Sequence, residues 1–153
     1  IMLADDLTGE LLVKSAHGLE EDVIKRTRIK LGDEIAGWVA LEGKPLMIDN
    51  IERDARFSRK STAQYNSKSL MSLPLKVDGQ VLGVINLNNK RTSEPFTQKD
   101  YETALALSER LSAFLKRFHS EAYREDDLHQ VLSSIEQLAG KDLITQENRL
   151  PDK

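Results

Sequence analysis

Residues 65–102 read YNSKSLMSLPLKVDGQVLGVINLNNKRTSEPFTQKDYE, and the order of the parts in this stretch decides the fold. From Ser69 to Val77 the pattern alternates. Met71, Leu73, Leu75 and Val77 point one way, while Leu70, Ser72 and Lys76 point the other, as in a strand. Val81 to Asn88 repeats the pattern, with Val81, Ile85 and Leu87 on one face and Leu82, Val84, Asn86 and Asn88 on the other. Asp78-Gly79 joins the two strands, because these residues tolerate the positive φ that a two-residue hairpin turn needs. Thr97 and Asp100 then fit a capping box, in which a hydroxyl and a carboxylate three residues apart each take the other's backbone N–H. A long helix is predicted from that point.

Downstream, Tyr101, Ala104, Leu105, Leu107, Leu111, Phe114, Leu115 and Phe118 fall at spacings of three and four. After a polar interval the stripe resumes at Leu128, Val131, Leu132, Ile135 and Leu138, so the helix is expected to outrun the domain before Gly140. The organisation that follows is a domain over 1–118, a helical extension over 119–139 suited to dimerisation or signal relay, and a polar tail over 140–153. Upstream, Ile1 to Ala4 and Glu10 to Ala16 are predicted strands around a loop ending in Gly9. Leu19 to Lys25 has its acids first and a lysine last, the charge order of a short helix. Thr27 to Leu31 reads as a strand, Glu34 to Glu42 as a helix stopped by Gly43, and Pro45 to Asp49 as a short strand whose leading proline is acceptable at an edge or at a first position. Asn50 to Lys68 is the least periodic segment and is read as a loop with room for one short helix.

Composition narrows the function classes. The 153 residues are enough for one ordinary core, and 39% hydrophobic with 31% charged residues at net −3 describes a hydrated globule without a basic stripe for nucleic acid. The chain has no cysteine, which rules out disulfides, thiolate nucleophiles, thiolate metal sites and thioether-linked chromophores. His17, His119 and His129 lack metal-ligand spacing, and no glycine-rich phosphate loop occurs. The residues call for no metal, no cofactor and no catalytic group. No apolar run reaches the roughly 20 residues that span a bilayer, so no membrane partner and a cytoplasmic setting are expected. The chain opens at Ile1, and it is expected to be a piece of a longer protein.

Several segments together resemble a GAF domain, a small sensory module of signalling proteins. They are Leu31 to Val39, Gly43 to Asp49, Asp54-Ala55-Arg56-Phe57, Ser69 to Leu75 and Leu82 to Ile85, and the resemblance covers about Ile1 to Phe118. It implies an α+β, PAS-related fold. A central six-stranded antiparallel sheet would carry the long C-terminal helix on one face and a pocket-forming helix and loop layer on the other. Against that pattern, the chain is expected to lack the helix that usually precedes the first strand. Asn89, Lys90, Phe96 and Asp100 resemble a signature of GAF domains that bind cyclic nucleotides, although Tyr101 displaces the final acid to Glu102. A lysine beside a helix-start carboxylate is better suited to locking a junction than to reading a purine, so these four residues are assigned a structural role.

For a small-molecule pocket the resemblance implies Asp49, Phe57, Tyr65, Ser67, Ser69, Ser72 and Asn86. An aromatic ring would stack on a planar ligand while hydroxyls and amides meet its edge. Trp38 lies on an apolar helix face and is read as core. Two functions fit this pattern. One is a sensor that binds an unidentified small molecule, with a cyclic nucleotide among the candidates, and biases the long helix toward a covalently linked output domain. The other is a ligand-free module that forms a homodimer through its helices and transmits a signal.

Overall fold

The computed structural model describes residues 1–57 and 68–119. Two compact units divide the chain, Ile1–Ala113 and Phe114–Lys153. The predicted helical extension beyond residue 119, the polar tail, Tyr65 and Ser67 lie outside the described residues.

The hairpin at the centre of the fold forms because both of its turn residues accept a left-handed backbone. Asp78 and Gly79 have φ of 50° and 85°, which matches the twist of the strands they connect, β5 (Leu70–Val77) and β6 (Gln80–Leu87). The other strands are β1 (Met2–Ala4), β2 (Glu10–Val13), β3 (Arg28–Lys30) and β4 (Leu46–Ile48). Together they make one six-stranded sheet in the order β3-β2-β1-β6-β5-β4, with every neighbouring pair antiparallel. β4 is an edge strand, and Pro45 just before it is compatible with that place.

One feature of the hairpin departs from simple alternation. Leu75 pairs with Gly83 but Lys76 pairs with Val81, so the register shifts between Leu75 and Lys76. This bulge moves Val81 away from the face of Ile85 and Leu87, where alternation places it, and onto the opposite face beside Val84.

Three helices complete the described fold: α1 (Glu21–Arg26), α2 (Glu34–Glu42) and α3 (Gln98–His119). α2 covers one face, where Leu11, Val39, Leu46, Ile48 and Val84 are buried with Met2 and Ile29. Its approach is close. A Cβ on Gly37 would stand 2.1 Å from the Lys30 carbonyl oxygen, so only glycine lets α2 lie this near β3. Gly43 ends the helix with φ 62° and sends its N–H back to the Val39 carbonyl.

α3 covers the other face. Met71, Leu73 and Ala104 form its core, flanked by Met47, Leu87, Phe96, Tyr101 and Leu105. Each fully buried leucine here stabilises the fold by roughly 2 kcal/mol over leaving it in water. The buried stripe also includes Ser108 and Ser112, which the apolar pattern omits; both lie at helical spacing from Ala104. Their hydroxyls donate to the Leu105 and Ser108 carbonyls, so neither oxygen is left without a partner in the core.

Candidate functional site

Asp100 organises the connection from β6 to α3. Its Oδ2 accepts from Lys90 Nζ at 2.7 Å, from the Thr97 backbone N–H at 2.7 Å and from the Thr97 hydroxyl at 2.8 Å. Thr97 Oγ1 accepts the Asp100 N–H at 3.2 Å, which completes the capping box predicted from sequence. The Lys90 hydrogen bond, followed by those from Thr97, holds the Asp100 carboxyl down to about 2 from its ordinary 3.8. Phe96 packs on the α3-face core, and Asn89 turns the chain with φ 54°, a conformation that asparagine tolerates. All four signature residues therefore stand at this junction.

Ser69 belongs to the junction as well. Its hydroxyl oxygen accepts the Phe96 N–H at 2.9 Å, and the residue is only 1% exposed. It is thus separated from Ser72, with which the sequence reading grouped it. Strand alternation carries the reason, since residues 69 and 72 differ by an odd number and face opposite ways.

On the α2 face, Ser72 and Asn86 sit directly opposite each other in the β5–β6 ladder. Ser72 is fully buried and donates its hydroxyl to Asn86 Oδ1 at 2.6 Å. Asn86 is exposed and turns its amide NH2 toward the Met2 thioether, 3.7 Å away. A thioether is a weak acceptor, so among the described residues this amide has donor capacity to spare.

An aromatic cluster lies on the same face. The rings of Trp38 and Phe57 meet edge to face, with centroids 5.8 Å apart and an interplanar angle of 79°. Arg56 places its guanidinium 5.9 Å from the Trp38 centroid and 5.4 Å from that of Phe57. Asp54 fixes it in place, since Nε and Nη2 of Arg56 donate to its two carboxylate oxygens at 3.2 and 2.9 Å. The Arg56 hydrogen bonds in turn hold the Asp54 carboxyl below its ordinary value. Trp38 and Phe57 both pack against the apolar core, so Phe57 is a partly buried anchor of the loop. The sequence reading overlooked Arg56, whose signal was its place two residues after an aspartate and one before a phenylalanine. Asp49 follows β4 and is exposed.

A separate groove of about 390 Å³ opens at the β2–β3 edge, lined by Glu10, Arg28, Ile29, Lys30, Asp33 and Glu34. None of the predicted ligand residues lines it. Among the described residues no cluster of histidine, aspartate or glutamate is arranged to hold a metal ion, and no helix is long and apolar enough to cross a membrane.

A model of the GAF domain family matches residues 1–115, three quarters of the chain. The chain belongs to the GAF family. A probable 3',5'-cyclic phosphodiesterase of Caenorhabditis elegans is 35% identical over 78 residues, which cover 50% of this chain and 11% of that protein. This GAF domain therefore corresponds to about a tenth of the length of that curated relative. Solved structures agree on the fold. The GAF domain from an Acinetobacter phosphoenolpyruvate-protein phosphotransferase superposes with a TM-score of 0.66 at 18% identity, covering 81% of this chain and 74% of that one. A type II free methionine-R-sulfoxide reductase of Thermoplasma acidophilum does so with a TM-score of 0.59 at 15% identity, covering 76% of each chain. The same architecture thus also occurs in an enzyme, and fold alone does not set the activity.

Proposed function

We propose that this GAF domain is the regulatory part of a larger cytoplasmic signalling protein, taking up a small molecule on its α2 face and passing the change on through α3. The carrying observation is the Ser72–Asn86 pair. A buried hydroxyl paired with an amide whose NH2 meets, among the described residues, a thioether suits the edge of a planar polar ligand. Asp49 and Phe57 lie on the segment that follows β4, and with Tyr65 and Ser67 they are proposed to complete the site. The domain is read as non-catalytic: it has no cysteine, and the perturbed carboxylates among the described residues are each engaged, Asp54 and Asp100 by a cation and Asp5 by the Leu7 N–H. The likeness to a cyclic phosphodiesterase makes cyclic nucleotides the first compounds to try.

The test is thermal unfolding of the chain with cyclic AMP, cyclic GMP and a panel of nucleotides and metabolites. A ligand at a hundred times its Kd should stabilise the native state by about 2.7 kcal/mol and raise Tm by about 5–10 °C. No rise with any compound removes the sensor reading. The ligand-free reading then stands, in which the domain forms a homodimer through the helical extension expected from sequence over 119–139 and relays a signal to an output domain. Its support is the apolar stripe that resumes at Leu128.

A further inference from the structure

Lys76 meets both helices, one through its backbone and the other through its side chain. It stands on β5 opposite the bulge that the unpaired Leu82 makes in β6, and its N–H donates to Ser112 Oγ of α3 at 2.9 Å. The Ser112 hydroxyl donates its own hydrogen bond to the Ser108 carbonyl at 2.7 Å, one turn earlier. Ser108 and Ser112 are only 3% and 9% exposed, so water does not readily replace these bonds. β4 pairs with β5 only as far as Ser72, which leaves this end of β5 with a single strand neighbour and α3 to supply the acceptor.

The Lys76 side chain goes to the other helix. Its Cε and Nζ lie 3.0 and 3.2 Å from the point where a Cβ on Gly43 would stand, against the residue that closes α2. An ammonium at a helix C-terminus is attracted by the negative end of the helix dipole and by the last carbonyls. The position of this side chain therefore follows the end of α2. A bulge is also where a strand most easily changes its twist and re-aims a residue, because the ladder is already interrupted there.

We propose that Lys76 couples α2 to α3 across the sheet, its side chain following the end of α2 and its N–H, opposite the bulge of β6, setting where Ser112 holds α3. As a signalling route this rests on α2 bordering the proposed ligand site; as a coupling between two helices it does not, and it can be tested without ligand. A displacement of α2 shifts the ammonium, the bulge changes its twist, and the Ser112 hydroxyl moves with the N–H it accepts.

Two variants of the whole chain read the coupling in opposite directions. Lys76→Met keeps the N–H and removes the ammonium, whereas Ser112→Ala keeps the helix and removes the acceptor. Trp38, the one tryptophan, lies on α2 about one and a half turns before Gly43 and reports on that helix through acrylamide quenching of its native-state emission. Ser112→Ala should change the Trp38 quenching constant by about two-fold or more, although the substitution is on the other face of the sheet. Lys76→Met should raise amide hydrogen exchange at 108–113 of α3 by about two- to thirty-fold, while the amides of β1 and β2 keep their rates. The double variant should show no more than the larger single effect. Ser112→Thr retains the hydroxyl and should restore both readings, which keeps the test decisive if the alanine variant folds poorly. Unchanged quenching in Ser112→Ala together with unchanged α3 exchange in Lys76→Met would overturn the coupling. Because no ligand is added, that failure is distinct from a negative thermal screen.

Discussion

Beside α3, the polar side chains at the sheet are taken up by the domain itself, while beside α2 a buried hydroxyl is paired with an amide that faces outward. At the β6–α3 junction Asp100 receives three hydrogen bonds and Ser69 caps the Phe96 N–H. On the opposite face Ser72 donates to Asn86, whose NH2 meets only the Met2 sulfur among the described residues. The first arrangement spends its polar groups on fixing geometry, and the second leaves a donor for something else. A domain that binds on one face and signals from the other needs this asymmetry, because an attachment that must hold its shape cannot also be the part that rearranges.

The largest expected effect comes from separating α2 from the sheet. On an exposed helix position Gly→Ala stabilises by up to about 1 kcal/mol. At Gly37 the sign should reverse, because the new methyl would sit 2.1 Å from the Lys30 carbonyl oxygen and 3.2 Å from the Gly32 nitrogen, both backbone atoms with little room to yield. Gly37→Ala is expected to cost about 3 kcal/mol, read as a fall of roughly 6–12 °C in Tm or as a lower urea midpoint. A neutral or stabilising result would show that α2 floats above β3, and the contrast between a closely seated helix and an available polar pair would be lost.

Next in size is Asp100→Asn, which keeps an acceptor for the Thr97 N–H but abolishes the charge that Lys90 meets. The carboxylate is about a third exposed, so solvent screens the pair and the expected loss near neutral pH is about 1 kcal/mol. The pH dependence fixes the cause. With the folded carboxyl at about 2 and the free one at 3.8, the unfolded chain binds more protons between those values, and stability rises with pH there. The contribution is complete above about pH 4 and is lost as pH falls through about 2. Chemical denaturation of the native chain and the variant should accordingly differ at neutral pH and converge toward pH 2. A gap that persists at low pH would mean that shape, not charge, holds the junction.

The parts of this domain that were legible in the sequence are those set by neighbours in the chain. Asp78-Gly79 announces its own turn, Thr97 and Asp100 announce the helix start, and Lys90 with Asp100 was readable as a fastening. What stayed hidden depends on two distant segments together. The bulge at Leu75/Lys76 is a mismatch between strands, and no periodicity within one strand shows it; Val81 therefore fell on the wrong face. Ser108 and Ser112 look like gaps in an apolar stripe: their hydroxyls bond to carbonyls of α3 itself, and only when the helix is laid on β5 does Ser112 also accept the Lys76 N–H. Ser69 is different, because alternation from Met71 and Leu73 already placed it on the α3 side.

Ser72→Ala should have the smallest effect on stability. The lost hydroxyl leaves no buried atom unpaired, since the oxygen that accepted it belongs to the exposed Asn86 and can take a water instead. A net hydrogen bond of this kind contributes about 1 kcal/mol, and rehydration of Asn86 should reduce the cost to about 0.5 kcal/mol, near the resolution of a urea titration. The same substitution removes one of the two polar groups proposed to meet the ligand edge, so a compound that stabilises the native chain should stabilise Ser72→Ala less. A small cost on folding with a clear loss of ligand-induced stabilisation is the signature of a group kept for binding. A cost above about 2 kcal/mol would instead be that of a buried structural bond. The α2 face would then fasten its polar groups as firmly as the α3 face, and the asymmetry between the two would have to be sought in the Trp38–Phe57–Arg56 cluster.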